Sequence, residues 1–351
     1  AFEESGATDV IIEDISKVCN RVFADCKSLK KLTINVADGP TSVSSALVKG
    51  CKNLQTVVFT GRTKNLTVIE AAAFKETKNL NTISLPDTIK TISKEAFYDS
   101  GIENIHLPEN LRQIGTMAFA GSGLKDIVIP NKIKKLGDYA FYNCIELTAV
   151  TLPESVTKIP SGIFEDCCSL KTVNVPNVDT ICDHAFYGCK NLETFDFSKL
   201  QSLDLMAFAY TGIREAVFSD KFSQLGISAF HHCKNLQTVD MKACKIQEIP
   251  YQCFCFCKGL KDVQLPQDVT AFDNSCFLRA KLNKLTINAG TYVGNNAFSK
   301  SFISELIFTD DTNYLMKTVV HSLAFEDAKV GKLAIPDHMY DRFKDAIDKM
   351  Q

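Results

Sequence analysis

Residues 124–141, Leu124-Lys-Asp-Ile-Val-Ile-Pro-Asn-Lys-Ile-Lys-Lys-Leu-Gly-Asp-Tyr-Ala-Phe141, decide the fold, because Leu147 to Phe164 and Leu170 to Phe186 repeat their pattern. The shared skeleton is L-x-x-I-x-L-P-x-x-I-x-x-I-x-x-x-A-F-x-x-C. Its closing apolar residue recurs at Phe23, Leu47, Phe74, Phe97, Phe119, Phe141, Phe164, Phe186, Phe208, Phe230, Phe254, Phe277, Phe298 and Phe325. Intervals between these marks are 21 to 24 residues, except for two of 27 before Phe74 and Phe325. A fixed period of this size marks a stack of repeats. One Phe per coil accounts for 13 of the 24 phenylalanines.

Each position in the coil has a physical reading. The last two apolar residues of L-x-x-I-x-L alternate with period 2, as a short strand with one buried face does. Pro follows at Pro86, Pro108, Pro130, Pro153, Pro176, Pro266 and Pro336, where a residue without an N–H ends the ladder and turns the chain. A second apolar pair comes next, such as Ile133/Leu136, and then Ala-Phe and a small residue, expected on a short helical or 3₁₀ turn. No coil buries its apolar row alone, so coils must stack. The expectation is a leucine-rich repeat solenoid of about fourteen coils in one structural domain, with one parallel β-sheet and short helical or 3₁₀ turns opposite. Residues 1–24 form an N-terminal capping coil, 25–335 the solenoid, and 336–351 a capping helix with Tyr340, Phe343, Ile347 and Met350 on its apolar face.

Composition narrows the function. With 39 basic and 41 acidic residues and no basic run, nothing in the sequence points to nucleic acid. No apolar run is long enough to span a membrane, and the first residues lack the apolar core of a signal segment. The chain is therefore cytosolic or lacks its leader here. Gly-rich phosphate loops, nucleophile elbows and H-E-x-x-H motifs are missing, and the histidines are scattered over different coils, so neither enzyme activity nor a cofactor is expected.

The fourteen cysteines follow the repeat. Cys26, Cys144, Cys167, Cys189, Cys233 and Cys257 lie three residues after the closing Phe, where other coils carry Thr77, Ser100, Ser122, Thr211, Ala280, Ser301 and Ala328. That slot selects small volume, and buried Cys serves as a small hydrophobe. Two sharper readings stay open: a bridge between Cys253 and Cys276, which share a phase in adjacent coils, and a metal cluster around His231, His232, Cys233, Cys255 and Cys257.

The skeleton, with Ala-Phe-Tyr-Asn-Cys144, Ala-Phe-Tyr-Gly-Cys189, Leu147-Thr-Ala-Val-Thr-Leu-Pro153 and the Ile-Pro-Asp337 entry to the closing helix, resembles the BspA-like leucine-rich repeat family over roughly Val10 to Met350. The resemblance implies a right-handed curved solenoid, commonly on a cell surface or secreted, that adheres to host or other cell-surface proteins. It implies no catalytic residues. The alternative is an intracellular leucine-rich repeat scaffold, since unpaired thiols suit a reducing cytosol.

Solvent-facing strand residues should align from coil to coil on what the family places on the concave side. One ladder includes Val128, Thr151, Asn174, Asp196, Val217 and Asp240, and the other Asp126, Glu215 and Asp262. Asp126, Thr151, Asn174, Asp196, Glu215, Val217, Asp240 and Asp262 are the expected contacts for a protein ligand, presented by a monomer. Their acidic character with an apolar spot suits a basic segment.

Overall fold

The computed structural model describes residues 2, 5–36, 42–312 and 316–351. It is a parallel β-solenoid of about fourteen turns. The chain falls into two compact units, 1–178 and 179–351.

In the first unit, the L-x-x-I-x-L segments form Asp9–Ile12, Lys31–Val36, Thr56–Gly61 and Thr82–Ile83, then Asp126–Val128, Ala149–Thr151 and Thr172–Asn174. Within each group neighbours pair in parallel. Alternation sets the buried face: Ile127 and Ile129 are buried while Asp126 and Val128 are exposed. The second apolar pair also makes strands. Ser42–Val43, Val68–Ile69, Thr91–Ile92, Gln113–Ile114 and Lys135–Leu136 form a five-stranded parallel row, so the coils build a second set of strands where the sequence suggested one sheet.

The second unit repeats the plan. Glu215–Val217, Thr238–Asp240 and Asp262–Gln264 form one sheet, and Lys281–Ile287, Phe302–Phe308 and Lys329–Ala334 another. The second pair gives rows such as Glu248–Ile249, Ala271–Phe272, Tyr292–Val293 and Val319–Val320.

The expected helical turn is instead a run of tight turns. Around Phe97, alternate backbone donors leave the coil: Glu95, Phe97 and Asp99 donate to Thr116, Ala118 and Ala120 of the next coil at 2.7–3.0 Å. The donors between them, Ala96, Tyr98 and Ser100, close i to i−3 turns within the coil. This alternation requires left-handed residues, here Glu95 (φ 56°) and Asp99 (φ 53°), with counterparts in other coils. A non-glycine residue there costs about 1–2 kcal/mol, offset here because the backbone N–H groups from Glu95 to Ser100 are all paired. A helix would satisfy the same donors internally and leave nothing to hold the next coil. Gly137 follows from this close stacking: a Cβ there would lie 2.3 Å from the Thr116 nitrogen.

Phe rings fill the interior as columns. Phe74, Phe97, Phe119, Phe141 and Phe164 stack at 5.2–5.7 Å with planes within 13°. In the second unit the column from Phe186 to Phe325 has spacings of 5.0–5.9 Å. Full burial of each ring contributes about 1.5–3 kcal/mol. One mark shifts by a residue. Ala46 (φ 51°) and Gly50 (φ 74°) flank Val48, and Val48 donates to Ala73 as Phe74 does to Ala96, so Val48 closes that coil and Leu47 takes the Ala position. Cys51 then joins the small-residue slot.

Phe2 stacks on Phe23 at 5.3 Å and begins the first column. At the other end the capping helix is broken into Asp337–Tyr340, a 3₁₀ turn at Asp341–Phe343, and Lys344–Ile347. The 3₁₀ turn shifts the helical phase. Met339, Phe343 and Ala346 are therefore the buried face, and Tyr340, expected inside, is 42% exposed. Residues 349–351 complete the cap: the carbonyls of Lys349 and Gln351 accept from Asp327 and Val330, and Gln351 donates to Ala328.

Candidate functional site

Strand pairing places the ladder residues in the expected register. In the first unit, Asp126 aligns with Ala149 and Thr172, and Val128 with Thr151 and Asn174. Val128 is 65% exposed and stands between two shallow depressions of about 370 and 200 Å³, which also take in His106, Glu109 and Glu154. An apolar β-branched side chain in a solvent slot was visible in the ladder, yet the acidic residues drew the sequence reading past it.

In the second unit, Glu215 aligns with Thr238 and Asp262, and Val217 with Asp240 and Gln264. Val217 is 44% exposed among them. Asp262 also borders a depression of about 440 Å³ shared with Asn283, Lys284 and Thr286. The expected contacts thus gather as two groups, Asp126/Thr151/Asn174 and Glu215/Val217/Asp240/Asp262. Asp196 lies outside any strand.

Two of the acids have local work. Asp196 accepts from the Ser198 amide at 3.0 Å and hydroxyl at 2.6 Å, and these bonds hold its carboxyl below the usual range. Asp240 accepts from the Lys242 amide at 3.0 Å. Both are Asx turns that redirect the chain where other coils use Pro. Each keeps one oxygen for a partner. Elsewhere on this side charges are neutralised: Arg214 grips Glu193 through two bonds of 2.9 and 3.1 Å, and Glu305 sits between Lys284 at 3.5 Å and Lys332 at 3.1 Å.

All fourteen cysteines are free thiols, Cys253 and Cys276 included. The small slot has a polar reason besides volume. The thiols of Cys51, Cys144, Cys167, Cys233 and Cys257 donate at 2.9–3.1 Å to the carbonyl of the closing Phe one coil back. Thr77 and Thr211 donate to the closing Phe of their own coil. Burial pushes the Cys233 thiol up to about 11 and those of Cys51 and Cys255 up to about 12, which keeps them protonated and poorly nucleophilic at neutral pH. Among the described residues, the group with several potential metal-ligand atoms within 4.8 Å is Asp310, Asp311 and His338, rather than His231 with Cys255.

That acidic group is a clamp. Asp311 is fully buried and accepts from the Thr318 amide at 2.9 Å, Arg342 at 2.6 Å and His338 at 3.3 Å. Against the opposing effect of burial, these bonds lower its pKa to about 2. Arg342 and His338 belong to the capping segment, so Asp311 ties the cap to the last long coil. The 27-residue interval before Phe325 supplies Asp311, and nothing in the repeat pattern marks its pairing with the cap.

A family model for the BspA type leucine rich repeat region matches residues 1–125, 112–237, 179–305 and 223–344. Among solved structures, a leucine-rich repeat protein from Bacteroides ovatus aligns with 91% of this chain and 91% of its own, at 23% identity and a TM-score of 0.68. Another from Eubacterium ventriosum aligns with 78% of this chain and 83% of its own, at 19% identity and a TM-score of 0.50. No match is found among curated proteins. Repeat solenoids of this type are generally protein-binding and typically non-enzymatic, and among the described residues no helix is long and apolar enough to cross a membrane. With matches running through nearly all of its length, the chain belongs to the BspA-type leucine-rich repeat proteins.

Proposed function

We propose that this protein is a non-enzymatic adhesion module, secreted or held at a cell surface, that binds host or other cell-surface proteins through its strand ladders. The observation that carries this reading is the exposure of Val128 and Val217 on in-register strands. Each valine offers a partner an apolar contact among polar neighbours. Glu215, Asp240 and Asp262 beside Val217, and Asp126 beside Val128, favour a basic rim on the ligand and speed its approach. Thr151 and Asn174 add hydrogen-bonding capacity along the ladders, and Asp196 adds it outside any strand.

The test is binding of the labelled full chain to intact cells, before and after protease shaving of the cell surface. Binding should fall after shaving and fall about tenfold or more in Val128→Asp and Val217→Asp variants that melt like the parent. Undiminished binding to shaved cells, or by both variants, refutes the reading. Fourteen free thiols favour the second reading, an intracellular scaffold. Antibody staining of unpermeabilised source cells separates the two, since a scaffold stays unstained.

A further inference from the structure

The turn side of the second unit carries a different surface. The second left-handed position of successive coils holds Tyr210, His232, Phe256, Arg279 and Lys300. Tyr210 and His232 stack at 4.8 Å, His232 and Phe256 at 4.3 Å, and the Arg279 guanidinium lies 5.3 Å from the centre of the Phe256 ring. Two residues further along each coil a parallel column runs Lys258, Lys281, Phe302, Lys329, the last three in strand register. Phe302 is 42% exposed, with the Lys281 ammonium 5.7 Å from its centre.

The two columns border an open depression of about 510 Å³. Lys258, Arg279, Lys281, Lys300 and Lys329 line it, and among the described residues none has a side-chain carboxylate within 4.0 Å. The one acidic side chain in the lining, Asp327, accepts from the Gln351 side chain at 3.2 Å. Five cations in one hollow of a chain whose net charge is −2 make a local positive field that attracts an anion. Stacking sets the spacing, since neighbouring coils lie about 4.8 Å apart.

We propose that this hollow binds a sulfated polysaccharide, with a sugar ring on the face of Phe302 and sulfates between the cations of adjacent coils. The forked Arg279 donors suit a sulfate, which stays charged at every physiological pH. An extended acidic peptide fits less well: its same-face carboxylates repeat at roughly 6.6 Å, out of step with the coils. Single-stranded nucleic acid would need free ring faces for successive bases, whereas Tyr210, His232 and Phe256 stack on one another and under Arg279, which leaves Phe302 as a single ring between two lysines. This surface adjoins the first residues of the strands Lys281–Ile287, Phe302–Phe308 and Lys329–Ala334, includes none of the expected ladder contacts and does not depend on the adhesion reading.

The test uses the full chain and a heparin oligosaccharide in about 0.15 M salt, with desulfated heparin, oligo-dT and poly-glutamate as competitors. Heparin should bind and desulfated heparin should not. Lys281→Glu/Lys300→Glu should weaken heparin about tenfold or more, Phe302→Ala should weaken it with the charge intact, and Asp327→Lys should tighten it, each with an unchanged melting curve. Equal heparin affinity in the parent and the double variant overturns the proposal. So does competition by oligo-dT or poly-glutamate as strong as that by heparin.

Discussion

Replacing Asp311 by Asn tests whether one buried carboxylate holds the C-terminal cap. The side chain is fully buried, with the Thr318 amide, Arg342 and His338 around it. Its pKa falls from 3.8 to about 2, and this difference of nearly two units corresponds to about 2 kcal/mol of stability near neutral pH. Because the folded pKa lies below the unfolded one, this contribution is complete above pH 4–5 and disappears as pH drops through 3.8 toward 2. Asn keeps an acceptor for Thr318 but turns donors toward Arg342. Repeat arrays open locally, so the readout is hydrogen exchange rather than a global melt. At pH 7 the amides of Asp348, Gln351 and Val330, all bonded within the cap or between it and the last coil, should lose about 30-fold protection in Asp311→Asn. Near pH 2.5 the gap between parent and variant should narrow. Equal protection at pH 7, or a loss spread evenly over both units, would refute the reasoning. Arg342→Ala should lower protection at the same amides, because Asp311 then keeps only the Thr318 amide and His338.

Two further outcomes follow from the turn ladder and the thiols. Ser228 has φ 55°, is 1% exposed, and its hydroxyl has no hydrogen-bond partner. Ser228→Gly removes backbone strain and an orphaned polar group together, so it should raise stability by about 1 kcal/mol and the melting temperature by roughly 2–4 °C; a lower melting temperature would count against the left-handed ladder. A thiol reagent at pH 8 should react quickly with exposed Cys19, slowly with half-buried Cys168, and with all fourteen cysteines after denaturation, whereas fewer than fourteen would indicate a bridge.

Much of the fold was legible because repetition makes each coil testify to the others. The register of Val128 with Thr151 and Asn174 follows from the spacing alone, since coils of nearly equal length stack by translation. Legibility failed where the period failed. Around Val48, which replaces the aromatic mark, the count slipped by one residue. The sequence around Phe97 fits a helix as well as a run of tight turns, because an Ala-Phe pair spaced from a small residue suits both. Only the next coil, accepting alternate donors, discriminates between them. Asp196 and Asp240 looked like free ligands in the ladder, and the Asx turns that occupy them depend on backbone geometry two residues on.

The sequence by itself determined the number of coils, the Phe column, the small slot beside it and the partners along each strand ladder. These follow from the period, and a translational stack carries a one-dimensional pattern into space unchanged. Only the tertiary structure decided how charges meet. A sequence without a basic run still gathers Lys258, Arg279, Lys281, Lys300 and Lys329 into one hollow, because stacking brings together residues one coil apart in the chain. The same stack buries Asp311 against Arg342, 31 residues away. Whether a charge is paired, exposed or buried depends on neighbours supplied by other coils and by the loops that break the period.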